Sequence, residues 1–486
     1  MFVAIRHCNN TLENIHLLTG ISQDVIDDFT AQAHFVRAFA HFELFKWFGP
    51  MPYITNVIDA TDDMDLPRLS KYETCKHIAA DFDTAALFFE KAGLMRRDPG
   101  PGQVGHLNDP DQRRPNGVAA KAYKARALLY AASPLNNDKG QQAWEDAAEA
   151  NWEAIQIAEQ YKYALLSAAD YKKNFVGAQY TNEELWAWSP GTYAYNAAGI
   201  AYLVCGVFSG NKSPNPGEDP TQNTVDKFET KWGDPLDTEA DRQAAADAGH
   251  YNEQDPYTDR DPRFYIDILF NTAPVIGYGT AKIYIETVDG VVQYSELLDQ
   301  NYVSATHTGY YTRKYWGEQS LKNQITPYYT DPLIRLTELY LNYAEAANEA
   351  YGPNTPAPGA TLTAVQAINV IRQRIGHFDV LPQYTATKEA LRPRIINEQT
   401  IEFCFEGHYY HDIRRWMTAP QVYAGPIMGV VIEKVPVSTD YPTGYKYTRK
   451  PVAEDRQSKW KEAMYYFPFM PEDLYKMKDF APNEPW

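Results

Sequence analysis

Four cysteines in 486 residues are too few and too scattered for a disulfide framework. Cys8, Cys75, Cys205 and Cys404 contain no Cys-x-x-Cys pair and no zinc spacing, and they do not report a redox compartment. No run of 18 apolar residues occurs, so no membrane-spanning helix is expected. The opening MFVAIRHCNN puts Arg6 and His7 where a secretory signal needs an unbroken apolar stretch, which taken literally reads as cytoplasmic. Positive charge is in deficit: 45 Lys and Arg against 63 Asp and Glu leave a net charge of −18. Phosphate repels such a chain, so nucleic acid and anionic membrane surfaces are poor partners. The Walker loop, GxGxxG, GxSxG and HExxH are all missing, and no motif implies a cofactor or a metal. The acidic run DDMD, Asp62 to Asp65, lacks the spacing of a calcium loop.

What the chain does have is apolar and aromatic residues in abundance. A hydrophobic content of 44% is ample for a buried core, and the length fits about three domain-sized units or one large helical array. Aromatics reach 14%, with 36 tyrosines, whose flat apolar face and polar tip suit both sugar rings and helix seams. The first 48 residues read as helix, because Phe35, Ala38, Phe39, Phe42 and Phe45 recur at helical spacing until Gly49-Pro50 stops them. Further helices are predicted over Tyr72–Ala92, Asn116–Ala132 and Ala143–Tyr161. The last two are alanine-rich, so their backbones can approach closely, as in tetratricopeptide-like pairs, although the period is only loosely near 34 residues.

From Trp186 to about Thr330 the helical period is lost, and Pro, Gly, Asp and aromatics dominate, with short alternating runs such as Ala281–Thr287 predicting brief strands. Insertions of this size are usually functional. Helical pattern returns over Pro332–Tyr351 and Thr363–Ile375, and again in a helix with Pro393 in its first turn. The expected division is therefore a helical segment over residues 1–185, an irregular ligand-binding block over 186–330, helical pairs over 331–420 and an irregular tail over 421–486, all in one unit. The fold class is mainly α: a tetratricopeptide-like scaffold with a large loop-rich insertion carrying short strands.

The densest cluster of charge is IINEQTIEFCFEGHYYHDIRRW, Ile395 to Trp416. Glu398, Glu402 and Glu406 fall four apart, so a helix would align them, and after a break at Gly407 the charges Asp412, Arg414 and Arg415 can fold back toward them. Two carboxylates some 5–10 Å apart could do glycosidase chemistry. Nearby arginines, however, would hold the carboxylates ionised, which suits ion pairs and disfavours a general acid. The expectation is a structural clamp on the last helix pair and no catalysis. His408 and His411 lack a third metal ligand and read as structural histidines.

Several segments, in order and spacing, together resemble the SusD/RagB family of outer-membrane nutrient-binding lipoproteins. They are AIRHCNNTLENI (4–15), AQAHFVRAFAHFELFKWFGPMPYIT (31–55), PTQNTVDKFETKWG (220–233) and DRDPRF (259–264), followed by PLIRLTELYLNYAEAANEA (332–350), AINVIRQRIG (367–376), NEQTIEFCFEGHYYHDIRRW (397–416) and FPFMPEDLYKM (467–477). Gln399 stands where the family usually has arginine, and Tyr409 also departs from its pattern. Family members carry a lipoprotein signal and more helix ahead of the IR-x-CN segment, so the chain looks truncated at its start, and Cys8 is the internal cysteine of that segment. The resemblance implies a cell-surface protein, lipid-anchored to the outer membrane. It would bind oligosaccharide or polysaccharide and hand it to a SusC-like TonB-dependent transporter, without catalysis. Peptide binding, as in the RagB branch, is the alternative; a glycoside hydrolase is a more distant one. Sugar rings stack on Trp and Tyr while their hydroxyls need polar partners, so the block offers Trp188, Tyr193, Tyr195, Trp232 and Trp316 as stacking residues, with Asn196, Asn211 and Arg313 as hydrogen-bonding partners. Trp186 ends a helical pattern and is expected in the core.

Overall fold

The computed structural model describes residues 1–59, 61–62, 65–97, 114–177, 181–192, 219–298, 305–317, 328–475, 480–483 and 485. Its scaffold is a row of packed helices: α1 (Phe2–Asn14), α2 (Gln23–Phe48), α3 (Lys71–Lys91), α4 (Gly117–Ala132) and α5 (Gln141–Gln160). Short helices α6 (Gln222–Val225), α7 (Glu239–Asp247) and α8 (Pro262–Asp267) follow in the irregular block. The row resumes with α9 (Leu336–Tyr351), α10 (Ala364–Arg374), α11 (Lys388–Glu402) and α12 (Tyr409–Arg415). Neighbours pack in sequence, α2 on α3, α3 on α4 and α4 on α5; α5 then packs on α9, which carries α10 and α11. One core accordingly runs from Ala31 to Leu185 and on through Ile334 to Phe403.

Small side chains explain the close seams. Ala119, Ala122 and Ala125 of α4, Ala147, Ala150 and Ala154 of α5, and Ala344 and Ala347 of α9 are all buried. Helix starts are fixed by side chains that accept otherwise orphaned N–H groups: Ser70 takes Glu73 N–H, Asn116 takes Ala119 N–H, and Thr363 forms a capping box with Gln366.

The irregular block is less open than its composition predicts. It has a second core, rich in aromatics, built from Tyr171, Phe175, Phe228, Phe264, Tyr311 and Trp316 and joined by Ile401, Ile432 and Tyr447. Strand β1 (Glu184–Thr192) pairs antiparallel with β8 (Tyr328–Arg335). Two-residue pairs join β2 (Ile268–Leu269) to β7 (Tyr311–Thr312) and β3 (Pro274–Val275) to β4 (Gly279–Thr280). A four-stranded sheet runs β10 (Tyr445–Pro451), β9 (Met428–Lys434), β5 (Ile285–Val288), β6 (Val291–Tyr294), so the tail packs against the block.

Four local expectations are corrected. The first 48 residues are two helices, separated by a turn of 3₁₀ helix at Ile15–Leu17 and by Gly20 at φ 74°. Pro332 does not open α9; it sits in β8 opposite Ala187, where a two-stranded ribbon tolerates its missing N–H. The strand expected over Ala281–Thr287 covers Ile285–Val288. Pro393 lies inside α11, beyond its first turn, and that helix ends at Glu402, before Gly407.

Candidate functional site

The glutamates come first, because their chemistry decides what the site is not. All three are buried, but Glu406 has left the helix: Phe405 takes φ 65° and Gly407 φ 79°, turning the chain back. Glu402 is a hub. Its carboxylate receives Arg374 Nη2 at 2.5 Å, Arg263 Nη1 at 3.0 Å and Arg335 Nη1 at 3.2 Å, and its carbonyl accepts from Lys314 Nζ at 2.9 Å. Glu398 accepts from Arg372 Nη1 at 2.9 Å. Arg263 Nη1 lies 2.6 Å from its other oxygen, close enough for an ion pair but out of line for a hydrogen bond. Glu406 receives Lys314 at 2.8 Å and two nitrogens of Arg335 at 2.9 and 2.7 Å. Glu183 and Glu229 extend the web to Arg335, Arg374, Arg372 and Arg394. Burial raises the Glu402 carboxyl, and the surrounding Arg374, Arg335 and Arg263 charges overcome it, leaving it well below the usual range.

The partners differ from those expected of Asp412, Arg414 and Arg415, which do not fold back onto these glutamates. Arg415 reaches Glu345 at 2.6 and 2.9 Å and Asp412 at 2.7 Å, while Arg414 donates to the Met464 and Tyr410 carbonyls. Sequence spacing could align residues along one helix; it could not reveal that cations from Arg263, Lys314, Arg335, Arg372 and Arg374 arrive first. Gln399, one of the departures from the family pattern, joins the Arg415–Glu345 pair, donating to Glu345 at 2.8 Å and accepting from Arg415 at 3.0 Å. In the first helices Arg37 grips Asp81 with two 2.7 Å bonds and Asn9 with one of 2.9 Å.

The two histidines are packed rings. His408 stacks on Phe403 at 4.5 Å, and His411 meets Trp47 edge-on at 4.7 Å. Burial first, then Lys46 and Arg414, pulls His411 down to about 3, so it is neutral at physiological pH. Among the described residues no cluster of His, Cys, Asp and Glu could hold a metal ion. Cys8, Cys75 and Cys404 are buried free thiols; Cys205 lies outside the described residues.

The aromatic candidates separate sharply. Trp186 turns inward from β1 and packs edge-on against Phe35, Phe39 and Tyr123, with centroids 5.0 to 5.8 Å away. Two residues on, Trp188 points outward and is 55% exposed. Alternation alone would put residues two apart on one face, so the split comes from the bulges that interrupt the register on both sides of Ala187–Trp188. Opposite Trp188 stands Asp331, which burial and then the Glu406 charge push up to about 6. Asp331 helps to line a 280 Å³ cavity that also takes in Arg126, Glu338 and His411. Sequence reasoning missed Asp331, because YYTDPLIR reads as the approach to a helix.

Trp232 is half-buried. His250 stacks on it at 4.1 Å and 14°, Lys231 Nζ lies 4.3 Å from its ring, and Asp234 holds His250 at 2.7 Å. Trp316 is fully buried in the second core, which corrects its assignment as a stacking residue: the YYTRKYWG turn folds inward. Arg313 donates to the Tyr265 and Pro274 carbonyls at 3.1 and 2.7 Å, bracing the block. Tyr193, Tyr195, Asn196 and Asn211 lie outside the described residues.

A tetratricopeptide-like helical scaffold, an inserted aromatic block and a buried ionic lock between them define the class of protein. The sequence pattern of the SusD family matches residues 170–486, and a second pattern, described as starch-binding associating with outer membrane, matches residues 1–92. The chain belongs to the SusD family. No curated protein matches it. Among solved structures it is similar to a SusD-like protein from Bacteroides fragilis NCTC 9343, at 23% identity and TM-score 0.71, covering 100% of this chain and 85% of that one. It is also similar to a SusD-like carbohydrate binding protein from the same strain (23%, TM-score 0.66, covering 98% and 84%) and to a laminarin binding SusD-like protein (17%, TM-score 0.56, covering 99% and 84%). At these identities the likeness supports the fold.

Proposed function

We propose that this chain is the glycan-binding subunit of an outer-membrane uptake pair. It captures oligosaccharide or polysaccharide at the cell surface, where a lipid anchor holds it, and delivers the sugar to a SusC-like TonB-dependent transporter. Membership of the SusD family, the carbohydrate-binding and laminarin-binding descriptions of similar structures, and the starch-binding, outer-membrane description of the second pattern support this reading. The observation that carries it is Trp188. An exposed indole on a paired strand, backed by the Trp186 cluster, is a rigid apolar platform of the kind a pyranose face covers. The protein binds without hydrolysing, because the Arg335 and Lys314 charges, with Arg374 and Arg263 at Glu402, hold Glu402 and Glu406 ionised, without a proton to donate.

Affinity electrophoresis through gels containing laminarin, starch or other polysaccharides tests the reading. Retention by the wild-type chain and its loss in the Trp188→Ala/Trp232→Ala double variant are expected. Unchanged retention removes this pair. Absence of retention by any polysaccharide, with binding to peptides instead, favours the peptide alternative, and release of reducing ends would overturn the non-catalytic assignment. Co-purification of a TonB-dependent barrel with the full-length protein from outer-membrane extracts tests the delivery step.

A further inference from the structure

A second cavity, of about 320 Å³, lies where several scaffold helices and their turns converge, away from the irregular block. Trp144 from α5, Trp416 from the end of α12 and Ile395 from α11 form apolar walls, with Pro134 exposed at the rim. At the mouth, Arg392 grips Glu349 through two parallel bonds, Nε at 2.7 Å and Nη2 at 2.6 Å. The Arg392 side chain remains 41% exposed, and its Nη1 has no acceptor among the described residues.

The two tryptophans differ in a way that marks the cavity. The Trp416 indole N–H is committed to Glu345 at 2.9 Å, and its ring lies under Arg415. Trp144 is half-buried, with neither a hydrogen bond nor a ring stack to any described residue. A half-buried indole lining a cavity with its N–H uncommitted has both an apolar face and a polar edge to offer. Charge limits what can enter: Arg392 and Glu349 neutralise each other, and Glu345 is held by Arg415. A charged ligand would unbalance these pairs and gain no counter-ion, whereas a neutral polyol can donate to the carboxylate and accept from the guanidinium without breaking either.

We propose that this cavity is a second saccharide site that takes a single neutral pyranose, such as a chain end or branch. Trp144 would be its stacking face, and Glu349–Arg392 its hydroxyl-binding pair. This inference rests on the glycan-binding reading above, but uses none of the residues of the ribbon.

The test is saturation-transfer NMR with methyl glucopyranoside, methyl galactopyranoside and methyl mannopyranoside, in the Trp188→Ala/Trp232→Ala background so that the ribbon is silent. Transfer to the ring protons of at least one glycoside is expected, with affinity about tenfold weaker in Arg392→Gln, whose exposed side chain can change without unfolding the protein, and lost in Trp144→Ala. No transfer from any of the three, or transfer untouched by both substitutions, would overturn the second site. If the wild-type chain still binds polysaccharide in gels while the glycosides show no transfer, the second site alone is wrong. If neither signal appears, the glycan reading falls with it.

Discussion

Two seams of this molecule solve the same problem by opposite means. Between α3, α4 and α5 the buried contact is apolar and made largely of small residues, with the ion pairs of Lys121 and Lys124 to Asp83 and Glu153 kept to its part-exposed margin, so cohesion is spread over many alanines. Between the irregular block and α9–α11 it is ionic. Glu183, Glu229, Arg263, Lys314, Arg335, Arg372, Glu398, Glu402 and Glu406 come from segments far apart in sequence and meet almost wholly out of solvent. Apolar burial is non-directional and would let a block without helical register slide. Ion pairs in a low-dielectric interior are directional and fix one alignment, at the cost of desolvating every charge. The segments that resemble the family pattern supply most of these ions, so the pattern records how the block is locked rather than where a ligand sits.

The comparison can be broken most severely at Glu402. Glu402→Gln leaves Arg263, Arg335 and Arg374 short of a counter-charge, and removing one member of a buried pair costs about 3–5 kcal/mol. Urea unfolding should show a loss of that size; an unchanged midpoint would mean that the ionic seam is dispensable. At the apolar seam, Ala125→Leu forces an extra side chain between α4 and α5 and should cost about 1–3 kcal/mol in the same assay, less than the ionic lesion.

A smaller effect depends on pH. Asp267 is fully buried beside Lys314, 3.7 Å away, with Glu402, Glu406 and Arg263 also acting on it, and burial pushes it up from 3.8 to about 7. An acid whose value is raised on folding binds its proton more tightly in the folded state, so its contribution to stability falls as pH rises from about 4 to about 7. Asp267→Asn should therefore raise the melting temperature at pH 8 and leave it nearly unchanged at pH 4. Equal shifts at both values would contradict the buried-acid assignment. The smallest expected change in stability is at Trp188, where an exposed indole contributes within about 0.5 kcal/mol. Trp188→Ala should melt with the wild type while weakening retention in polysaccharide gels.

Much of the helical scaffold was legible in the sequence. Gly117–Ala132 and Ala364–Arg374 fall within a residue of the ranges that apolar periodicity predicts. The misreadings have particular causes. Pro332 looked like a helix start because the strand pairing that holds it is made with residues over a hundred positions away. Trp316 reads as a stacking residue from its place in YYTRKYWG, yet the chain there turns into an aromatic core no local pattern announces. Glu406 looked helical because the fourfold spacing continues past the point where Phe405 and Gly407 reverse the backbone.

The sequence by itself determined the helical array, the inserted block and the family, since periodicity and motif spacing are local and survive without a structure. It also pointed to ion pairs for the glutamates, although the arginines it offered, Arg414 and Arg415, pair elsewhere. Only the tertiary structure decided which cations hold the glutamates, that Trp316 is buried, and that Trp144 lines a cavity beside an Arg–Glu pair. Those facts depend on partners brought together from distant segments, and the free energy of a buried charge or the exposure of an indole is set by its neighbours in space rather than by its neighbours in the chain.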